Sequence, residues 1–381
     1  MRILHIGPDT QFVQFAAVAF ESVAPGANEY IVIGRSGQGT IDYPVPGGPM
    51  HVVSPDARGV AAAFARYREH DLVVAHSMTL HAAAVFTRAH KKTVTVWSGW
   101  GYDYYSNDPS ESEDLFGPQT RELVERLARS GASRPPVLRR TAGALWGSFA
   151  RFLTRRAAAR SDYFSAPVPT DEPVFRSRFP QFHGGYCQLN YANLADTFAS
   201  IGENSQRRGG ILIGNSATPT NNHLEAFELL AGRDLEGRQV IVPLNYGDPA
   251  YRDAVVEHGT ELFGSAFVPV VDRMPLEEYN ALVAGCDVVI VNTRRQQALG
   301  NIGTALYTGA NVILDEANPV YGFLRSGGAT VRTTAELRAG DSLFRPLEED
   351  ELAANRAFLE SFWGADQVTR NVADLIGRLG R

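Results

Sequence analysis

Short apolar runs alternate with helix-length segments through most of this 381-residue chain, and no other feature limits its fold so tightly. Residues 3–6, 30–33, 72–75 and 93–97 read as strands, with helices over 16–22, 57–70 and 80–89 between them. Strands separated by helices build parallel sheets from βαβ units. After a polar stretch over 196–210 the pattern restarts at Gly210-Ile211-Leu212-Ile213-Gly214 and continues through runs at 240–243, 267–270, 288–291 and 311–314. The length suits two cores. The expected division is an N-terminal Rossmann-like domain over 1–203, a second over 204–345, and helices over 346–381 packing back across both.

Composition narrows the partners. A net charge of -6 argues against a general nucleic-acid binder. Cys187 and Cys286 stand far apart with no C-x-x-C spacing, so neither a zinc site nor a disulfide framework is expected, and a reducing cytoplasm fits. The first residues read as a buried strand rather than a signal peptide. No run approaches the ~20 apolar residues that span a bilayer, so membrane work is expected to be peripheral, on the cytoplasmic face of the inner membrane.

In an open parallel sheet, ligands gather at the carboxyl ends of the strands, and the N–H groups of the next helix attract phosphate. The run Val288-Val289-Ile290-Val291 empties into Asn292-Thr293-Arg294-Arg295-Gln296-Gln297-Ala298-Leu299-Gly300-Asn301-Ile302-Gly303-Thr304, which lacks the spacing of the P-loop and of G-x-G-x-x-G. Two readings stand. Arg295, Gln296, Gln297, Gly300, Asn301, Gly303 and Thr304 form an anion site, or the glycines only admit a close helix and the glutamines only cap backbone. Upstream, Gly214, Asn215 and Ser216 also follow a strand and can approach and bond a diphosphate. Tyr246 can stack on a base or pack beneath a loop. Glu316 and Asn318 lie in the turn after the run at 311–314, where a carboxylate suits a ribose hydroxyl.

In the first half the strand ends carry Asp9, His76 and Asp103. Each is a candidate base, and each has a plainer reading: Asp9 as a helix cap, His76 as a loop tie. Trp97, Trp100 and Tyr105 surround Asp103 in Trp97-Ser98-Gly99-Trp100-Gly101-Tyr102-Asp103-Tyr104-Tyr105. Such rings stack on sugars or close the edge of a core.

The wording of these segments resembles the 4-acetamido-4,6-dideoxygalactose (Fuc4NAc) transferase family, which moves that sugar from a dTDP donor to an undecaprenyl-diphosphate-linked acceptor. The resemblance rests on Arg295 to Ile302, Gly214-Asn215-Ser216, Glu316-Ala317-Asn318-Pro319 and a W-x-x-W-G-x-D-x-Y pattern met by Trp97, Trp100, Gly101, Asp103 and Tyr105. It is strongest between Ile211 and Val331, and at the central loop this chain carries extra residues. It implies a GT-B glycosyltransferase: two Rossmann-like domains facing a central cleft, the donor in the second and the acceptor approaching from the first. Asp103 is then the leading base, with His76 and Asp9 behind it, and Trp97, Trp100 and Tyr105 face the acceptor. The donor sugar, a UDP- or GDP-linked alternative, and a non-catalytic binding scaffold stay open.

Two further expectations come from the residues. No Asp-x-Asp occurs, so no divalent metal or other cofactor is expected, and protein groups must meet the diphosphate charge. From Ser133 to Arg160 there is no acidic residue, while seven arginines alternate with apolar side chains. A basic amphipathic helix over 134–160 can rest on an anionic membrane surface or simply cover the core.

Overall fold

The computed structural model describes residues 1–34, 41–105, 113–130, 137–190, 193–204 and 209–379, excluding the side chains of 113, 137–146, 196 and 202–204. The chain forms two compact units, each built on one parallel sheet.

The first sheet comprises β1 (Ile3–Pro8), β2 (Asn28–Ile33), β3 (Met50–Val53), β4 (Leu72–His76), β5 (Val94–Ser98), β6 (Tyr163–Ser165) and β7 (Gly185–Tyr186). Their order is β3-β2-β1-β4-β5-β6-β7. Chain order therefore reverses between β1 and β4, which pair in parallel with Ile3 opposite Leu72 and Ile6 opposite Ala75. The apolar residues of both strands are buried, as expected for strands covered by helices on both faces. The edge strand β3 is short and only partly buried, and its weak pattern escapes the sequence reading.

The second sheet contains β8 (Ile211–Ile213), β9 (Val240–Pro243), β10 (Phe267–Val270), β11 (Val288–Val291), β12 (Asn311–Leu314) and β13 (Arg332–Thr333), in the order β10-β9-β8-β11-β12-β13. The reversal here falls between β8 and β11, with Val288 opposite Ile211. Open α/β sheets bind ligands outside such reversals.

The units divide differently from the expected 1–203, 204–345 and 346–381. The first holds 1–106, 135–193 and 363–381; the second holds 107–134 and 194–362. Packing explains each change. In the helix Pro118–Ser130, Leu123 lies in one core with Ile213 and Phe227, and Thr120 Oγ1 donates to Glu225 Oε2 at 2.6 Å. In the helix Ala365–Leu379, Val368, Val372 and Leu375 join Ile3, Phe20 and Leu72. The helix Leu194–Asn204 replaces much of the polar connection expected over 196–210, because Phe198 is buried in the second unit against the helix Leu299–Thr308. Residues 205–208 lie outside the described residues.

Candidate active site

In the second unit the two strand ends at the reversal are stitched together by side chains. Gln297 Nε2 donates to Asn215 Oδ1 at 2.7 Å, and Gln297 Oε1 accepts from Thr220 Oγ1 at 2.8 Å. Asn215 Nδ2 in turn donates to the Tyr246 hydroxyl at 2.8 Å. Behind them, Asn222 Nδ2 donates to the carbonyl of Asn292, and Asn292 Nδ2 donates to that of Asn222, at 3.0 and 3.1 Å. Asn301 Nδ2 reaches the Tyr279 hydroxyl at 2.7 Å and the Gly214 carbonyl at 3.4 Å. Two loops 70 to 87 residues apart thus form one surface.

Backbone conformation shapes that surface. Gly214 has φ +68°, and a Cβ there would stand 2.9 Å from Asn221 Oδ1 and 3.0 Å from His223 Nε2, so only glycine fits. Ala298 precedes the helix Leu299–Thr308 at φ 61°, a left-handed conformation costly for a residue with a side chain, and it leaves that helix N-terminus without a side-chain cap. Free N–H groups and the helix dipole at such an end suit an anion. Among the described atoms, Gln296 Oε1, Asn221 Oδ1, Asn292 Oδ1 and His223 Nε2 are buried without a hydrogen-bond partner. Native interiors leave few such atoms unpaired. Three of the four are acceptors and suit hydroxyl groups, whereas Arg295 and the helix end suit an anion. The Arg295 charge is felt at Tyr246, whose phenol burial nevertheless pushes up in pKa. Tyr246 as a residue is 58% exposed and offers a ring at the loop mouth.

Other expected donor residues have internal duties. A Cβ on Gly303 would collide with the Phe198 ring, and Thr304 is buried beside it, so these two positions serve helix packing. Ser216 Oγ is engaged with Thr218 Oγ1 and Asn221 Nδ2 within its own turn. Asn318 caps the helix Pro319–Ser326 through the Val320 N–H and donates to Thr293 Oγ1 at 2.9 Å. Glu316 is exposed and accepts from Thr334 Oγ1 at 3.1 Å. Gly300 is exposed in the first helical turn, with open space where a side chain would start. The helix His223–Leu230 begins after Asn222 in the left-handed region, with no side-chain cap from Thr220 or Asn221.

In the first unit, Asp103 accepts from three N–H groups: Trp97 Nε1 at 2.7 Å, Met78 N at 2.9 Å and Trp100 N at 2.8 Å. Burial pushes its carboxyl pKa up, against the downward pull of these bonds. A carboxylate so occupied ties loop 100–105 to the end of β4. Asp9 likewise clamps a loop, accepting from the N–H groups of Asp42 and Tyr43 at 2.7 and 3.0 Å, and does not cap the helix Gln11–Val23.

Trp97 is fully buried against Phe164, Phe175 and Phe179, and Tyr105 is buried with its hydroxyl on Asp171 Oδ1. Both belong to the core and leave the acceptor-facing set. Trp100 stays half-buried, edge-on to Phe12 at 5.4 Å and to Tyr102 at 6.4 Å. Phe12 and Tyr102, not among the residues expected at the site, are exposed and form an aromatic surface with it. The Tyr102 hydroxyl meets Ser77 Oγ at 2.7 Å, directly after His76.

His76 ends β4 at the β1/β4 reversal and is buried, its Nε2 3.0 Å from His5 Nδ1. Burial, then the neighbouring imidazole, holds its pKa well below the usual histidine range. His5 itself is lowered to about 4, chiefly by burial. No group of three or more His, Cys, Asp or Glu side chains arranged for a metal occurs among the described residues.

Comparison with known proteins agrees with this architecture. Residues 190–335, which include both stitched loops, match the family described as 4-alpha-L-fucosyltransferase glycosyl transferase group 56. An alpha,alpha-trehalose-phosphate synthase (UDP-forming) from Burkholderia vietnamiensis superposes with a TM-score of 0.62 at 11% identity, covering 100% of both chains. Sucrose-phosphate synthase from Thermosynechococcus elongatus gives 0.62 at 10% identity over 100% of this chain and 99% of that one. HepE from Anabaena, in complex with UDP, gives 0.59 at 11% identity over 99% and 100%. These likenesses establish the GT-B fold, and the match over 190–335 carries the activity class. The chain is a glycosyltransferase of the GT-B fold, and its residues 190–335 match the family described as 4-alpha-L-fucosyltransferase glycosyl transferase group 56.

Proposed function

We propose that this enzyme moves a deoxyamino sugar of the Fuc4NAc type from a dTDP-sugar to a lipid-linked or other saccharide acceptor in bacterial surface-polysaccharide assembly. The observation that carries the donor half is the Gln297–Asn215 bridge at the β8/β11 reversal, set beside the uncapped helix end at Ala298. In this reading the helix N–H groups and Arg295 receive the diphosphate, Tyr246 faces the base, and the unpaired acceptors take hydroxyl hydrogens. Fixed donors stabilise a leaving diphosphate without reorganising as charge develops. The acceptor saccharide lies on the first unit's surface of Trp100, Phe12 and Tyr102.

A thermal-shift panel of dTDP, UDP, GDP and their sugars tests the donor, with Gln297→Ala alongside. Ligand at ~100 times its Kd adds about 2.7 kcal/mol. Selective stabilisation by dTDP species, lost in the variant, supports the reading. UDP selectivity favours the alternative donor, which the UDP and UDP-glucose complexes of HepE make the first to test. Silence toward every nucleotide overturns the donor site proposed here.

A further inference from the structure

Four buried or partly buried polar side chains run in series through the first unit and end on a buried nitrogen without a hydrogen-bond partner. Asn28 Nδ2 places its two hydrogens on Glu21 Oε1 and on the Ala24 carbonyl, each at 2.9 Å. Its Oδ1 is therefore turned toward His5 Nε2, 3.1 Å away. An amide oxygen only accepts, so His5 carries its proton on Nε2 and presents a lone pair at Nδ1. That lone pair requires the proton of His76 on Nε2, 3.0 Å away. The remaining nitrogen, His76 Nδ1, is left with a lone pair, buried and without a partner.

The surroundings hold this arrangement. His5 is stacked on Tyr30 at 4.7 Å and edge-on to Phe20 at 4.6 Å, so its ring is confined. Burial lowers the pKa of both imidazoles, with Glu21 opposing and His70 adding to the effect at His5. Protonating both rings would set two N–H groups against each other. Ser77, the next residue, turns the chain away at φ 67°.

We propose that Glu21, Asn28 and His5 are positioning residues that fix the tautomer of His76, and that His76 Nδ1 is the proton acceptor for the hydroxyl of the incoming saccharide. The proposal rests on the glycosyl-transfer reading. A group that meets Nδ1 must bring its own hydrogen, and a sugar hydroxyl does. In the step, the O–H bond breaks as Nδ1–H forms, the oxygen attacks the anomeric carbon, and the nucleotide diphosphate leaves with the electron pair of the broken C–O bond. The Nε2 proton can pass to His5 Nδ1, bringing the positive charge nearer the Glu21 carboxylate.

The test uses the full chain with 15N-labelled histidine. In the wild type, His76 should show a single neutral tautomer with its proton on Nε2, unchanged between pH 6 and 8. His76→Ala should lower kcat at least ~100-fold with the donor KM within about twofold, the usual contribution of a general base. His5→Leu should lower kcat at least about tenfold and mix the His76 tautomers, whereas His5→Gln, which can accept through its amide oxygen, should recover most of the loss. Near-normal turnover in His76→Ala, or a His76 proton on Nδ1 in the wild type, overturns the proposal; the second measurement needs no variant to fold. A wild type that transfers no sugar from any nucleotide donor fails the functional reading instead, and the tautomer measurement still stands apart from it.

Discussion

A Cβ placed on Gly303 would fall 2.2 Å from Cζ of Phe198, across the contact between the helices Leu299–Thr308 and Leu194–Asn204. No real carbon sits that close, so the glycine sets the approach of the two helices. Gly303→Ala should therefore destabilise the second unit by about 1–3 kcal/mol despite alanine's better helix propensity. Urea unfolding checks this, and Phe198→Leu should recover part of the loss because the two sites share one contact. Equal costs in both backgrounds would show that the contact is not the cause.

Asp103→Asn separates a brace from a base. The amide would set an NH2 among three N–H donors and leave one of them unsatisfied, at about 1–3 kcal/mol. Stability and turnover should fall together. Unchanged stability with a ~100-fold loss of turnover would restore Asp103 as the base.

The buried histidines make stability depend on acid. His5 is lowered to about 4 and His223 to about 3, both chiefly by burial. Their folded pKa values lie below the unfolded value of 6.5, so the unfolded chain binds more protons as pH falls beneath 6.5. Stability is thus fully present above that value and is lost on descent toward the folded pKa. Between pH 7 and 5 each should cost about 2 kcal/mol. Urea midpoints at the two pH values measure it, and a midpoint unmoved at pH 5 would mean that these rings are not held neutral.

The helix Val137–Ala158 exposes Phe149 and Phe152 beside the exposed Arg151, Arg155 and Arg156. Residues 134–136 and the side chains of 137–146 lie outside the described residues. Among those described, no helix is long and apolar enough to cross a membrane. We expect sedimentation with anionic vesicles but not neutral ones, with reversal of the three arginines to glutamate abolishing it, since each surface arginine contributes about 1 kcal/mol. Equal pelleting with neutral vesicles would remove the electrostatic part of this reading.

Protein donors alone are expected to meet the diphosphate charge. Turnover should survive EDTA within about twofold, and a loss restored by Mg²⁺ would assign that charge to a metal.

The sequence by itself determined the βα alternation, the two parallel sheets, and the strand ends at which polar residues collect. Those properties are local: a buried strand must be apolar, and a glycine or asparagine marks where it stops. The placement of Gln297, Asn215, Arg295 and His76 at strand ends was legible for that reason. Only the tertiary structure decided that Pro118–Ser130 and Ala365–Leu379 join units distant from them in sequence, because each helix buries its apolar face where a matching core happens to be. It also moved Trp97 and Tyr105 into the core and turned Asp103 into a tie, since an aromatic stretch reads alike whether it packs inward or outward. His5 left a faint signal, a histidine inside an apolar strand, but its meaning lies in His76, 71 residues away. Hydrogen-bond direction passes between such partners only after the sheet has set β1 beside β4.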